Sequence, residues 1–390
     1  MMNWCRKELA INAGASQKAS RLTLLKLGMA LGMTLGRQAC LVTTCLALLA
    51  HTASTKAVAS GINAATQDLI NASSSSSVIA VPVSAFSTYP SSLVVRQCEE
   101  NTLTESAAEN SACQEDIIAP DTFIDALRES SFFSSLHPYE EKSDYQLLIA
   151  NVSNENAHLA EITLQWRSME IASHVLQVNV PKISQNGKAH YAAELVAQWR
   201  DLAIKQNLFS ASYLYQALDA SNYERELVVP QTVGEFKKLD TQLYADPFSG
   251  AITRYVHPTY EEALLDIIVY PFTHKLSKEN NLLLNEQLKA DLEKTGEIAK
   301  AQELTLTLAN PAAPYKSKGE ENGWRLGIAA QSEKSPTLYA TTYVFRKHDK
   351  IIKIATTFPA DFSDPLVDEL MQNVDVPKES VLMRSIRELL

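Results

Sequence analysis

The sequence predicts an α+β fold: two small domains, each an antiparallel sheet packed with amphipathic helices, after a signal peptide and a disordered stalk. Three observations predict it. A twelve-residue apolar run at 39–50 follows Arg37 and precedes small residues. A serine-rich stretch comes next. From about residue 120 onward, the alternation of half-buried strands is interleaved with apolar residues three and four apart, the spacing of helices.

The apolar run falls short of the about twenty residues that a membrane-crossing helix needs. With Arg37 before it and small residues after it, it has the three parts of a secretory signal. Ala57-Val58-Ala59 offers a cleavage site, so 1–59 is read as the signal peptide, with Met29 or Met33 as alternative starts. A buried core helix is the competing reading, but the polar stretch that follows offers it nothing to pack against. Cys45, after Leu41-Val42-Thr43-Thr44, loosely resembles a lipoprotein box, although Thr44 stands where such boxes carry Gly, Ala or Ser. Lipidation of Cys45 therefore stays an alternative. The expected location is periplasmic or secreted after cleavage near Ala59, with no transmembrane helix in the mature chain.

Residues 60–390 carry 28 basic and 44 acidic side chains, a net charge of −16. Such a surface repels nucleic acid and anionic lipid headgroups. Of five cysteines, Cys5, Cys40 and Cys45 precede the cleavage site, leaving Cys98 and Cys113. Two cysteines in an exported chain read first as a disulfide, with two free thiols as the alternative.

The stalk is expected over 60–119: the run Ser73 to Ser77 is low-complexity, and little around it could be buried. A short extended piece at 78–83 could add to a sheet edge. A first α+β domain is expected over 120–220. Thr122 and Asp125 resemble a capping box for a helix that ends at His137-Pro138. Strands follow at 145–152, around Ile162, Leu164 and Trp166 with Glu161, Thr163 and Gln165 on a wet face, and around Leu176 and Val178. Asn186-Gly187 turns the chain into a helix marked by Tyr191, Leu195, Trp199 and Leu202.

A connector is expected over 221–247, punctuated by Pro230, Gly234 and Asp246-Pro247. A second α+β domain follows over 248–376, then a C-terminal tail over 377–390. Its first hairpin, 251–256 with 264–270, places Arg254 opposite Asp266 and Ile252 opposite Ile268. A helix carries Leu284, Leu288 and Leu292, and strands are expected at 303–308 and 324–330. A second hairpin turning at His348-Asp349 sets Tyr343 opposite Ile354 and Phe345 opposite Ile352, one apolar face. On that reading Lys353 leaves by the opposite side, which is either solvated or, in a three-layer sandwich, covered by the first domain or a partner. Asp364 is expected to cap a closing helix with Pro365 at its first position.

The order of these elements, with Leu264-Leu265-Asp266-Ile267-Ile268-Val269-Tyr270, Tyr343-Val344-Phe345-Arg346 and Ile352-Lys353-Ile354, resembles the PsbP-type sandwich of small exported accessory proteins. The resemblance covers 250–375 without a diagnostic motif. It implies a binding or assembly module without catalysis, and it carries over no residue.

The chain has no G-x-S-x-G, H-E-x-x-H, C-x-x-C or Gly-rich phosphate loop, and only 12 glycines. No catalytic residue, cofactor site or metal site is expected. The best constellation is His257, Asp266 and His274, which could form a metal or acid–base site if the strands converge. A cross-strand ion pair of Asp266 with Arg254 is the simpler reading. His174 reads as a core or rim histidine, Trp166 and Trp199 as core, and Trp324 as core or the rim of a ligand cleft. The acids Asp361, Asp364, Asp368 and Glu369 read as helix capping rather than a calcium loop.

The functional expectation is a non-catalytic exported binding or accessory protein of the cell envelope, with another envelope protein as partner. Its small-molecule ligand, if it has one, is not named by the sequence. The alternatives are an envelope hydrolase with a dispersed site and a lipid-anchored subunit of a transport complex.

Overall fold

A computed structural model describes residues 78–88, 114–115, 118–138, 143–153, 156–179, 187–319, 321–332 and 335–390. The segment expected as a signal peptide, with Ala59 and Cys45, most of that expected as a stalk, and Cys98 and Cys113, expected to pair, lie outside the described residues. The described chain is α+β, with seven helices and two sheets.

The first sheet contains β1 (Val83–Thr88), β2 (Gln114–Glu115), β3 (Leu136–Pro138), β4 (Tyr145–Ser153), β5 (Ala157–Trp166) and β6 (Met169–Asn179), in the order β3-β1-β4-β5-β6 with β2 on β4. Two expectations are corrected here. β1 comes from the segment read as stalk, and it is no edge: it pairs in parallel with both β3 and β4. The cause is Val83 and Ala85, which are buried at 0% and 1% exposure and complete the apolar face. Likewise β5 has no wet face over 157–162, where every position is buried. Glu161 stands between Ala150 and Val175 on the neighbouring strands and accepts a hydrogen bond from Ser173 Oγ at 2.9 Å.

Helices α1 (Pro120–Glu129) and α2 (Lys188–Gln206) cover the apolar face with Phe123, Leu127, Tyr191, Leu195 and Trp199. α1 starts one turn earlier than Thr122 suggested, with Ala119 as its cap and Pro120 at its first position, so no capping box forms. Proline suits that position because its missing N–H would be unpaired there anyway. α1 also stops at Glu129, well before His137-Pro138, which belong to β3.

A helical link follows: α3 (Ala211–Ala217) and α4 (Tyr223–Glu226). The second sheet is eight-stranded and wholly antiparallel: β7 (Thr232–Val233), β8 (Phe236–Leu243), β9 (Ala251–Val256), β10 (Leu264–Pro271), β11 (Thr305–Lys316), β12 (Asn322–Ser332), β13 (Ser335–Lys347) and β14 (Lys350–Thr356), in the order β11-β12-β13-β14-β10-β9-β8-β7. The expected registers appear: Arg254 faces Asp266, Ile252 faces Ile268, Tyr343 faces Ile354 and Phe345 faces Ile352. The stretch 221–247, expected as a connector, instead supplies β7 and β8, because Val233 and Phe236 bury against the core of this sheet. Between β8 and β9, Gly250 holds φ 69 with its Cα so close to Val269 that a Cβ would lie 1.9 Å from that residue's carbonyl oxygen. Only glycine fits there.

Both faces of this sheet are covered. Tyr343, Phe345, Ile352 and Ile354 pack on one side with Val367 and Leu370 of α6 (Ala360–Met371). Val344, Ile351 and Leu326 pack on the other with Leu283, Leu284 and Leu288 of α5 (Asn280–Ala301). Lys353 is thus not solvated: its ammonium pairs with Asp291 of α5, and the residue is 5% exposed. Asp364 does not cap α6, which begins at Ala360 after Pro359 and carries Pro365 inside it. The tail expected at 377–390 forms α7 (Val381–Glu388), capped by Ser380 Oγ and anchored by buried Met383. No helix among the described residues is long and apolar enough to cross a membrane.

Candidate functional site

β10 sets the two histidines of the sequence constellation at its opposite ends. Its eight residues at about 3.3 Å apiece span roughly 26 Å, so the histidines do not converge. At the start of the strand, His257 accepts from the backbone N–H groups of Thr259 and Tyr260 at Nδ1, and its Nε2 lies 3.0 Å from Glu235. In the middle, Arg254 holds both oxygens of Asp266 at 2.8 Å. That carboxylate is 5% exposed and its two oxygens are satisfied by one guanidinium, a structural bidentate pair.

The other single residues also serve the fold. His174 lies 3.1 Å from Gln206 Oε1. Trp166 and Trp199 are core, and Trp324 donates to Asn281 Oδ1 of α5 at 3.3 Å. The acids of α6 receive donors from the sheet: Asp364 from Tyr343 and Arg325, Asp368 from Tyr315, and Glu369 from the Gly234 N–H. Asp361 is exposed.

The far end of β10 carries the arrangement that the sequence reading missed. There the turn between β13 and β14 meets the 272–279 loop and the lead-in to α7. They frame an open cleft of about 470 Å³, lined by Leu276, Arg346, His348, Asp349, Lys378 and Glu379. His348, at its lip, holds φ 57, a left-handed conformation that costs a non-glycine residue on the order of 1 kcal/mol.

Below the lip lies a buried pair. Lys350 is 0% and Asp349 1% exposed, and the lysine Nζ donates to Asp349 Oδ1 at 2.6 Å. Burial pushes the Lys350 ammonium down from its ordinary value; Asp349 opposes that shift and Arg387 adds to it. Asp349 Oδ2 has no hydrogen-bond partner among the described residues, and the nearest guanidinium nitrogen, on Arg387, is 3.6 Å away.

Arg346 lines the cleft, and Arg387 lies buried beside Asp349. Arg346 donates to the carbonyl oxygens of His348, Lys278 and Leu276 and to Asn280 Oδ1, at 2.6–3.1 Å. Arg387 donates to the carbonyls of His274 and Phe272 at 3.1 and 2.7 Å and pairs with Glu379. Both guanidiniums stack on Phe272, with centroid distances of 4.7 and 5.2 Å. Burial and the neighbouring Arg387 lower the Arg346 pKa and Asp349 opposes that shift, while its hydrogen bonds all go to neutral acceptors. Chemically, the cleft sets an anchored guanidinium and the exposed Lys378 beside two carboxylates, Asp349 and Glu379.

The one visible signal of this site was the charged pair Asp349-Lys350 at the start of a mostly apolar strand. Arg387 lay in a segment read as a tail, and nothing in its spacing ties it to residue 349.

No family model matches the chain. A cysteine–tRNA ligase of Leifsonia xyli subsp. xyli is 28% identical over 153 residues, which are 37% of this chain. The chain spans about a third of that relative's length, 32%. Among solved structures, the solution structure of cyanobacterial PsbP (CyanoP) from Synechocystis sp. aligns over 39% of this chain and 92% of its own, at 13% identity and a TM-score of 0.28. The resemblance drawn from residues 250–375 therefore has a faint structural counterpart, and at that TM-score it carries no argument.

Proposed function

We propose that this chain is an exported, non-catalytic binding or assembly protein of the cell envelope, and that the cleft at the His348-Asp349 turn is its recognition site. The observation that supports this reading is the fixed guanidinium wall. Arg346 is anchored by four acceptors and the Phe272 ring before any partner arrives. Charge held in place that way loses little side-chain freedom on binding. The strained His348 at the lip fits the same role, since left-handed non-glycine residues persist where surrounding structure holds them for use. Lys350, the one amine here with a lowered pKa, is fully covered and holds Asp349 in position rather than meeting a reactant.

Two measurements test the reading. Protein recovered from the envelope fraction of the producing cell should begin at Ser60; a chain beginning at lipidated Cys45 would overturn cleavage after Ala59, and a full-length chain confined to the cytoplasm would overturn the export route. A photo-cross-linking residue at position 348 should trap a discrete envelope component, whereas the same residue at exposed Lys205 should not. Identical products from both positions would remove the cleft as the recognition site.

A further inference from the structure

Independently of the cleft, we propose that the opposite end of β10 is a docking surface for an arginine-bearing segment of a partner protein. Three segments meet there. The β7–β8 turn supplies Glu235 and Phe236, the β9–β10 loop supplies His257 and Tyr260, and the run from β14 into α6 supplies Phe358 and Phe362. Their rings form a chain: Tyr260 to His257 at 4.8 Å between centroids, His257 to Phe236 at 5.2 Å, and Phe236 to Phe358 at 5.5 Å. Thr357 Oγ1 ties the last segment to the loop by donating to the Glu262 carbonyl at 2.7 Å. Phe362 stands one helical turn after Phe358 and one before Leu366, whose side chain lies against Gly234.

Two of these aromatic side chains are bare: Tyr260 is 65% and Phe362 71% exposed. Tyr260 is also held in place. Its N–H and that of Thr259 donate to His257 Nδ1, its carbonyl accepts from the Ala263 N–H at 3.0 Å, and its ring lies against the imidazole. A large aromatic side chain presented on a fixed loop loses little freedom on binding, which is the property of an interface anchor.

Charge selects the occupant. Residues 234–238, 257–263 and 357–362 carry the exposed acids Glu235, Glu261, Glu262 and Asp361 against Lys237 and Lys238, a net charge of −2 with His257 neutral. Among the described residues, Glu261, Glu262 and Asp361 make no ion pair. Aromatic faces beside carboxylates suit a guanidinium, which stacks on a ring while it donates to an acid. The chain uses this pairing itself: Arg167 lies 4.3 Å over the Trp166 ring while holding Asp144 and Asp246. Nucleic acid and anionic lipid are repelled by the same acids, and so is a second copy of a chain with a net charge of −16 over residues 60–390. A basic segment of another protein is therefore assigned.

Fluorescence anisotropy with a labelled peptide of alternating arginine and alanine, titrated with the whole exported chain, tests this. Tyr260→Ser with Phe362→Ser, both at exposed positions and without change of charge, should weaken binding by about tenfold or more with Tm unchanged. Glu261→Gln with Glu262→Gln should weaken it by about threefold or more, and added salt should weaken binding to the unmodified protein. Glu129→Gln, exposed on α1, should leave the affinity unaltered. The lysine counterpart of the peptide should bind about threefold weaker or worse, because an ammonium does not stack on a ring.

Absence of binding, or an affinity unaltered by the serine pair, would overturn the proposal. An effect of Glu129→Gln equal to that of the glutamine pair, or equal affinity for the lysine peptide, would reduce the binding to net charge and overturn it as well. Should the serine pair lower the Tm, the glutamine pair decides the outcome. Sedimentation of the unmodified protein as a dimer that the serine pair turns into a monomer would make this surface a contact between copies and remove the assigned partner.

Discussion

Lys353 and Ile354 are neighbours on β14 that leave the sheet by opposite faces, and their environments show why strand alternation alone misjudges solvent. Ile354 sits at 0% exposure beneath α6, and truncation to alanine should cost about 2–5 kcal/mol as a large-to-small core change. Lys353 would be neutral to truncate if its face were wet. Instead its ammonium is paired with Asp291, whose carboxylate keeps 20% exposure. Breaking a buried ion pair leaves an uncompensated charge and costs about 3–5 kcal/mol; partial solvation of Asp291 places Lys353→Ala lower, at about 2 kcal/mol. Urea unfolding of the two single variants and of Lys353→Ala with Asp291→Ala measures the coupling, expected above about 0.5 kcal/mol. A Lys353→Ala protein within about 0.5 kcal/mol of the parent would mean that α5 does not cover that face in solution.

Among the elements, β7 and β8 decide where the second module begins. β8 pairs with β9 from Lys237 through Leu243, and Tyr255 Oη donates to the Pro230 carbonyl at 2.6 Å. A fragment starting at Asp246 lacks all of this and presents β9 as an open edge. We expect the fragment 221–390 to unfold cooperatively on heating, as an independent domain. The fragment 246–390 loses the burial of Val233 and Phe236, worth about 1.5–3 kcal/mol each, so its Tm should fall by roughly 10 °C or more. If 221–390 shows no cooperative transition, the two modules share one folding unit. The contacts that would join them are known: Arg167 bridges Asp144 and Asp246, Trp166 meets the Phe248 ring, and Tyr213 and Tyr215 donate to the carbonyls of Ile171 and Gly250.

Across the whole molecule, tyrosine burial sets the response to alkali. Burial raises the pKa of eight described tyrosines, at 145, 213, 215, 223, 255, 270, 315 and 343. Tyr145 is pushed up to about 12, by burial first and by Asp144 second. Above pH about 10 the unfolded chain releases phenol protons that the fold retains, so stability falls as pH rises through that window. Lys350 acts in the opposite sense. Its folded pKa is lowered, so between that value and its ordinary 10.5 the unfolded chain holds the extra proton and stability rises with pH. One such group opposes eight. Tyrosinate absorbance should therefore appear together with loss of circular dichroism in one steep alkaline step; gradual ionisation centred near pH 10 in a still-folded protein would contradict it.

Features that depend on neighbours along the chain were legible before folding was considered. Alternation of apolar residues placed both hairpins of the second sheet in register, Arg254 against Asp266 and Phe345 against Ile352, because a one-residue slip would turn every apolar side chain to the wrong face. The spacing of Tyr191, Leu195 and Trp199 likewise marked α2. The remaining features depend on residues far apart in the chain. Val83 and Ala85, in a short apolar run after the serine-rich segment, become a central strand because they pair with both β3 and β4. Lys353 becomes buried because α5 brings Asp291 over it. Arg387 comes to lie beside Asp349, thirty-eight positions earlier, because α7 folds back, and pairing of charges across that distance leaves no period in the sequence.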